Sequence, residues 1–436
     1  MPVRARRPAT VLRAKTAIAV GVLLIVVLGP RAALATETEI AEPPANCPNA
    51  TLPPPPVDSS EVPPSGVPSP EPLPVPEEAV GGERMGACGV IVPSGSPAVP
   101  TEVTSSTWIL AELDSGDVLA AKNPHGRHRP ASVIKVLTAL VAIRQLDMSE
   151  TITVTQADAG KEGSKAGLVP GVTYTVRQVL TGLLLQSGND AAHALARKLG
   201  GPDRTLTRMN RLARELGALD TRAATPSGLD GPGMSTSAYD MALIFRAALQ
   251  EPAFAEIVAR HHAEIPGRPD GPPLQLYNDN DVLRNYPGAL GGKTGYTNDA
   301  RHTYIAAAER DGHKLVAVLL RGENHPLPLS QQATALLDYG FRLGADAQAV
   351  GQLESPQPAS STSRAPQQQA GMAEKVDSSG PPEASGSSLF GTVGGPLALL
   401  VTALVAVLGA VGVRQRRAKL AATRRDSAEL TDDEHP

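Results

Sequence analysis

A serine and a lysine stand three residues apart in the stretch Pro130-Ala131-Ser132-Val133-Ile134-Lys135. Val133, Ile134, Leu137, Leu140, Val141 and Ile143 recur at helical spacing, and Pro130 suits a helix start. Positions i and i+3 share a helix face, so Lys135 can place its amine beside the Ser132 hydroxyl. A serine hydroxyl is a poor nucleophile until a base adjoins it. A desolvated lysine near a second cation can be that base, because both effects favour the neutral amine. The pair therefore predicts acyl transfer through a serine intermediate.

Two further motifs extend the pair. Ser187-Gly188-Asn189 follows an apolar-periodic helix, and Lys293-Thr294-Gly295 follows Gly291-Gly292 and leads towards the last strands. S-x-x-K, S-x-N and K-T-G, in this order and tens of residues apart, are the motif set of serine enzymes that react with penicillin. In this reading Ser132 attacks a carbonyl and Lys135 takes its proton. Lys293 supplies the second cation. Ser187 relays a proton to the leaving nitrogen, and Asn189 binds a substrate amide and helps fix the lysine. Backbone N–H groups of Ser132 and Tyr296 form the oxyanion hole. Lys293 and Thr294 meet a substrate carboxylate, and the K-T-G edge strand pairs with an extended peptide.

The elements that must hold these residues lie in the middle of the chain. Of the 436 residues, Gly and Pro number 41 each, and the prolines concentrate outside residues 104–345. That segment is long enough to bury a sizeable core. Residues 108–113 and 118–121 read as two strands around Asp114-Ser115-Gly116-Asp117. Residues 150–155 form a short β-rich piece. Helices are expected over 175–187, 191–199 and 204–216, the last stopped by Gly217. Another follows Ser237, which with Asp240 resembles a capping box, and runs to about Leu249. Strands over 303–309 and 314–320 flank Asp311-Gly312, a strong hairpin signal, and a last helix covers 330–343. Helices at both ends and hairpin-joined strands indicate an α+β fold with a largely antiparallel sheet.

The flanks read differently. Residues 1–35 carry a basic start, an apolar run from Ala17 to Leu28 and Ala33-Leu34-Ala35, the pattern of a secretory signal. Residues 36–103 are Pro-rich, and they are expected to be a disordered spacer because such sequence buries too little apolar surface to fold. Cys47 and Cys88 lie within it, where a disulfide is plausible outside the cytoplasm. Residues 346–388 read as a second disordered stalk. Residues 389–413 are uncharged and mostly apolar over about 25 residues, enough to span a bilayer. Arg414, Arg416, Arg417 and Lys419 follow, placing the tail 414–436 in the cytoplasm and residues 104–345 outside a cell membrane crossed once.

Composition narrows the partners. Net charge is −4 and aromatics are 3%, without a basic stripe interleaved with aromatics, so nucleic acid is not an expected partner. His261 and His262 are adjacent and make a poor metal pair, so neither metal nor cofactor is expected.

The chain resembles the low-molecular-weight penicillin-binding proteins, serine-type D-Ala-D-Ala carboxypeptidases of the peptidase S11 family, and is similar to their actinobacterial members. The resemblance rests on Arg129-Pro-Ala-Ser-Val-Ile-Lys135, Leu184-Leu-Gln-Ser-Gly-Asn-Asp-Ala-Ala192, Thr225-Pro-Ser-Gly-Leu, Met234-Ser-Thr-Ser-Ala-Tyr-Asp-Met-Ala242, Asn278-Asp-Asn-Asp-Val-Leu283 and Gly292-Lys-Thr-Gly-Tyr-Thr297. It implies the β-lactamase/DD-peptidase-like fold, with a helical subdomain beside the sheet. It also implies removal of the terminal D-alanine from peptidoglycan stem peptides, and acylation by β-lactam antibiotics. Members often carry an arginine beyond the last strand for the substrate carboxylate, and here Arg321 and Arg301 are the candidates. Many append a small β-rich domain, whereas here the stalk follows directly. The alternatives are a serine β-lactamase, a transpeptidase and a catalytically silent wall-binding protein. The first needs a water-holding glutamate, and residues 219–233 offer only Asp220 and Asp230.

Overall fold

The computed structural model describes residues 47–344 and 347–354. In chain order it contains β1 (Val90–Ile91), β2 (Thr107–Glu112), β3 (Asp117–Lys122), α1 (Lys135–Gln145), β4 (Thr151–Thr153), α2 (Gln156–Ala159), β5 (Thr173–Thr175) and α3 (Val176–Leu185). There follow α4 (Asn189–Lys198), α5 (Pro202–Glu215), α6 (Ala238–Leu249), α7 (Pro252–Val258), β6 (His262–Ile265), β7 (Leu274–Tyr277) and α8 (Asp281–Asn285). Last come β8 (Ala289–Thr297), β9 (Arg301–Arg310), β10 (His313–Gly322), α9 (Leu329–Leu343) and β11 (Gly351–Gln352).

The main sheet runs β1-β3-β2-β10-β9-β8, with β11 also on β3, and its pairs are antiparallel. Strand side chains alternate between faces, and here both faces are covered. Trp108, Leu110, Ala306, Ala308, Ala317 and Leu319 pack with Leu336 and Leu337 of α9. Ile109, Ala111, Ile305, Ala307, Val316 and Val318 face the larger core of α1, α3, α4 and α6. This explains why β9 and β10 read as apolar runs rather than as alternating strands. Asp311 and Gly312, at φ 54° and 83°, make the tight turn their types predict. Helix α3 starts with a reciprocal Thr175/Gln178 capping box. At α6 the expected box is only half formed. Ser237 accepts from the Asp240 N–H, but the Asp240 carboxylate turns inward to Asp220 N and Thr221 Oγ1.

The spacer expected over residues 36–103 is corrected for its described part, 47–103, which wraps the domain as a strap. Cys47 and Cys88 are joined, with Cα atoms 5.3 Å apart, Met85 is buried in the larger core, and β1 pairs with β3. Extended Pro-rich backbone has no internal hydrogen bonds, so its carbonyls are free to accept from the domain's arginines. Arg127 donates to the carbonyls of Thr51, Leu73 and Pro74 at 2.8, 2.6 and 2.8 Å. Prolines also lose little chain entropy on ordering. The boundary expected at 345 moves as well. Val350 and Leu353 are buried and β11 adds to β3, so residues 347–354 belong to the folded unit. Among the described residues no helix is long and apolar enough to cross a membrane. The expected signal (1–35), the rest of the stalk, the span (389–413) and the tail (414–436) lie outside the described residues.

Candidate active site

Ser132 does not open a regular α-helix. Ala131–Ile134 form one turn of 3₁₀ helix, and α1 begins at Lys135. Ala131, which opens this turn, is a non-glycine residue at φ 48°, a sparsely populated conformation that costs about 1–3 kcal/mol and persists only where surroundings enforce it. Those surroundings are visible. The Pro130 carbonyl accepts from Thr303 Oγ1 at 2.9 Å. His128 exchanges backbone hydrogen bonds with Thr236 at 2.8 Å. Gly228 lies so close that a Cβ there would sit 1.9 Å from the Ala131 carbonyl oxygen.

Lys135 is fully buried. Its Nζ lies 2.8 Å from Ser132 Oγ, 2.7 Å from Asn189 Oδ1 and 2.5 Å from the Ser227 carbonyl oxygen. The last two can only accept. A neutral amine has two N–H bonds and one lone pair. Both N–H bonds are therefore committed to Asn189 and Ser227, and the lone pair is left for the Ser132 O–H. Burial, and then the charge of Lys293, hold the Lys135 ammonium well below the ordinary lysine range, with Asp190 opposing. The geometry accommodates a neutral base, and burial and the Lys293 charge shift the amine in that direction.

Asn189, the first residue of α4, is held in turn, its Nδ2 donating to the Glu162 carbonyl at 2.6 Å. Next to it Asp190 accepts from the N–H groups of Ala166, Gly167 and Leu168 at 2.9–3.0 Å, tying residues 166–168 to α4. Ser187 sits at φ 55°, and its buried hydroxyl has no hydrogen-bond partner. The expected relay from Ser187 is therefore not joined to Ser132, Lys135 or Lys293 in this structure. Lys293, on β8, is also buried, and its Nζ donates to the Thr294 carbonyl at 2.9 Å. Burial lowers its ammonium to about 8, with Asp279 pulling the other way.

Among the described residues strand β8 edges the sheet and pairs only with β9. Gly295 lets it lie against the nucleophile turn, since a Cβ there would meet Ser132 N at 2.7 Å and Thr303 Oγ1 at 2.5 Å. Thr294 and Tyr296 flank that contact, with the Tyr296 ring exposed beside His302. Of the two arginine candidates, Arg301 is engaged with Glu323 at 2.7 Å and stacks on Tyr296. Arg321 donates to the Asp299 carbonyl at 3.0 Å and lies near enough to His128 to depress its pKa, after burial. The two acids of residues 219–233 do not make a deacylating pair. Asp220 is taken up by Arg127 and His125 at 2.9 and 2.7 Å, while Asp230 is pushed up to about 6 by burial.

The Ser227 carbonyl and the strap were not readable in advance. A carbonyl acceptor has no residue signature, and the strap's contacts with Arg127, Arg129 and Asp299 join residues 53 to 242 positions apart.

The family model described as peptidase S11, D-alanyl-D-alanine carboxypeptidase, matches residues 94–324. The D-alanyl-D-alanine carboxypeptidase DacB2 of Mycobacterium tuberculosis is 48% identical over 268 residues, covering 60% of this chain and 90% of that protein. DacF of Bacillus subtilis, of the same description, is 34% identical over 239 residues, 53% of this chain and 61% of that one. Among solved structures, a D-alanyl-D-alanine carboxypeptidase from M. tuberculosis superposes with a TM-score of 0.58 at 47% identity, covering 60% of this chain and 99% of that one. The Streptomyces K15 DD-transpeptidase superposes with a TM-score of 0.54 at 28% identity, covering 57% and 100%.

Proposed function

The chain belongs to the peptidase S11 family of D-alanyl-D-alanine carboxypeptidases, and on that premise we propose that it removes the terminal D-alanine from peptidoglycan pentapeptides through an acyl-enzyme on Ser132. The observation that carries the reading is the buried Lys135 amine, 2.8 Å from Ser132 Oγ with both its N–H bonds committed elsewhere. Ser132 Oγ attacks the penultimate D-alanine carbonyl while its proton passes to Lys135. The C–N bond breaks, the proton held by Lys135 goes to the leaving nitrogen, with Ser187 as relay once substrate brings its unpartnered hydroxyl into line, and D-alanine departs. Water then attacks the ester, releasing the tetrapeptide and returning the proton to Ser132.

Asn189 holds the donor amide, Lys293 and Thr294 the terminal carboxylate, and the N–H groups of Ser132 and Tyr296 the oxyanion. Arg321 is preferred to Arg301 as a further carboxylate partner, because Arg301 is already paired with Glu323. A β-lactam enters by the same attack. Its leaving nitrogen stays tethered in the opened ring, so the acyl-enzyme accumulates. Trimming of pentapeptides in this way removes cross-linking donors.

The Cys47–Cys88 bond supports an extracytoplasmic site, since disulfides persist in oxidising compartments. Residues 389–413 are proposed to anchor the enzyme in the cytoplasmic membrane, with 414–436 inside. The test is D-alanine release from a pentapeptide ending in D-Ala-D-Ala, beside Ser132→Ala. Catalytic release that the mutation abolishes is expected. A folded wild-type protein that releases none refutes the reading.

A further inference from the structure

Residues 47–93 lie outside the family match, yet part of this strap touches both walls of the cleft. Arg129 stands three residues before Ser132 and is 3% exposed. It is satisfied by the strap: Nη1 donates to the Pro54 carbonyl at 2.6 Å, and Nε and Nη2 together grip the Glu61 carboxylate, Nη2 at 2.8 Å. A few residues earlier in the strap, the Val57 N–H donates to Asp299 Oδ1. Asp299 lies in the turn between β8 and β9, two residues past the end of the strand that carries Lys293, Thr294 and Tyr296. Strap residues 54–61 thus join the approach to the nucleophile to the far end of the K-T-G strand.

These two pieces must keep register for attack. The oxyanion donors come one from each, Ser132 and Tyr296, and Ala131 between Arg129 and Ser132 holds an unfavourable φ of 48°. A planar guanidinium gripped by two parallel bonds fixes orientation as well as distance. We propose that Glu61 is a positioning residue for Ser132: acting through Arg129, it lets the strap hold the nucleophile turn and the K-T-G strand at the spacing that acylation requires. The proposal rests on the acyl-enzyme reading above.

The test uses the full chain with Glu61→Gln, which keeps shape but loses the ion pair, Arg129→Gln, and the double variant. Glu71→Gln, an exposed strap position that is not among the hydrogen-bond partners of Arg129, serves as control. Misplacing reacting groups by about 1 Å can cost on the order of a hundredfold; partial loosening is expected to cost about tenfold. Glu61→Gln should lower both kcat and the rate of acylation by penicillin about tenfold with KM within twofold. The double variant should be no worse than Arg129→Gln alone, and Glu71→Gln should match wild type.

Amide hydrogen exchange gives a second readout that does not depend on turnover. In Glu61→Gln, exchange should rise at least tenfold in residues 128–135 and stay at the wild-type level in α9. Unchanged kcat with unchanged exchange overturns the proposal. So does a uniform rise in exchange with a lowered melting temperature, which marks an ordinary stability contact. If wild type itself releases no D-alanine, the acyl-enzyme reading fails, and the exchange pattern alone still decides whether Glu61 holds the turn.

Discussion

Replacing Asn189 by aspartate separates setting the base from binding the substrate. Asn189 Oδ1 lies 2.7 Å from Lys135 Nζ, so the substitution puts a carboxylate at nearly the same place. At 2.7 Å and an effective dielectric constant of about 20, Coulomb's law gives ~6 kcal/mol favouring the ammonium, an upper bound. One third of that, ~2 kcal/mol, raises the Lys135 pKa by about 1.5. The base must be neutral to accept the Ser132 proton, so acylation rises with pH through the Lys135 pKa, and the substitution moves this rise to higher pH. At a fixed pH on the acid limb the variant should be slower by about 30-fold or more, with the loss recovered as pH increases. The assay is stopped-flow acylation by a fluorescent penicillin from pH 5 to 10, with circular dichroism confirming the fold. An unshifted profile with an equal loss at every pH would refute the reasoning: Asn189 would then act on substrate alone, and Lys135 would take its protonation state from elsewhere.

Two other outcomes follow from single features. Gly295→Ala drives a Cβ to 2.7 Å from Ser132 N; the turn or β8 must shift, and acylation should fall by about a hundredfold while far-ultraviolet circular dichroism stays native. The contribution of Asp240 to stability should decline as pH rises from 5 to 8.5, because burial and then Asp220 push its carboxyl up to about 8, while Lys135, Lys293 and His128, held low by burial, contribute in the opposite direction. The unfolded chain releases the Asp240 proton near 4 and the folded one holds it, so at this site the native state binds more protons across that window and loses stability as pH rises. His125, raised overall by Asp220 against the effect of burial, acts in the same direction as Asp240, and in urea denaturation the stability of Asp240→Asn relative to wild type should rise with pH across this window.

The parts of this molecule legible in sequence are those with a period or a turn chemistry. The apolar repeat after Ser132 marks a buried helix, and Asp311-Gly312 marks a hairpin. Three short motifs in order mark the site, and Ser132, Lys135 and Asn189 do converge. Residues 252–285 were illegible for a plain reason. β6 and β7 are four residues each and α8 five, too short for either period to stand out. The strap misled for a different reason. Proline-rich composition does signal a chain that cannot build its own core, but it does not say whether another core will accept it. Arg127 and Arg129 do accept it, and two buried arginines beside a nucleophile, without carboxylates nearby in sequence, are the one hint that distant acceptors were needed.

Lys135 is where the legible and illegible parts meet. Its identity follows from the S-x-x-K spacing, but its protonation state does not. Remove the Ser227 carbonyl, and a buried N–H loses its acceptor. The amine could then turn that N–H towards Ser132, donating to the hydroxyl it should deprotonate. Ser227 is placed by Thr138, which donates to the neighbouring Pro226 carbonyl at 2.7 Å, and by Gly228, which alone can lie against Ala131. The loop 225–228 therefore governs the base without contributing a reacting atom. Changes confined to it can silence acylation while every motif residue stays in place.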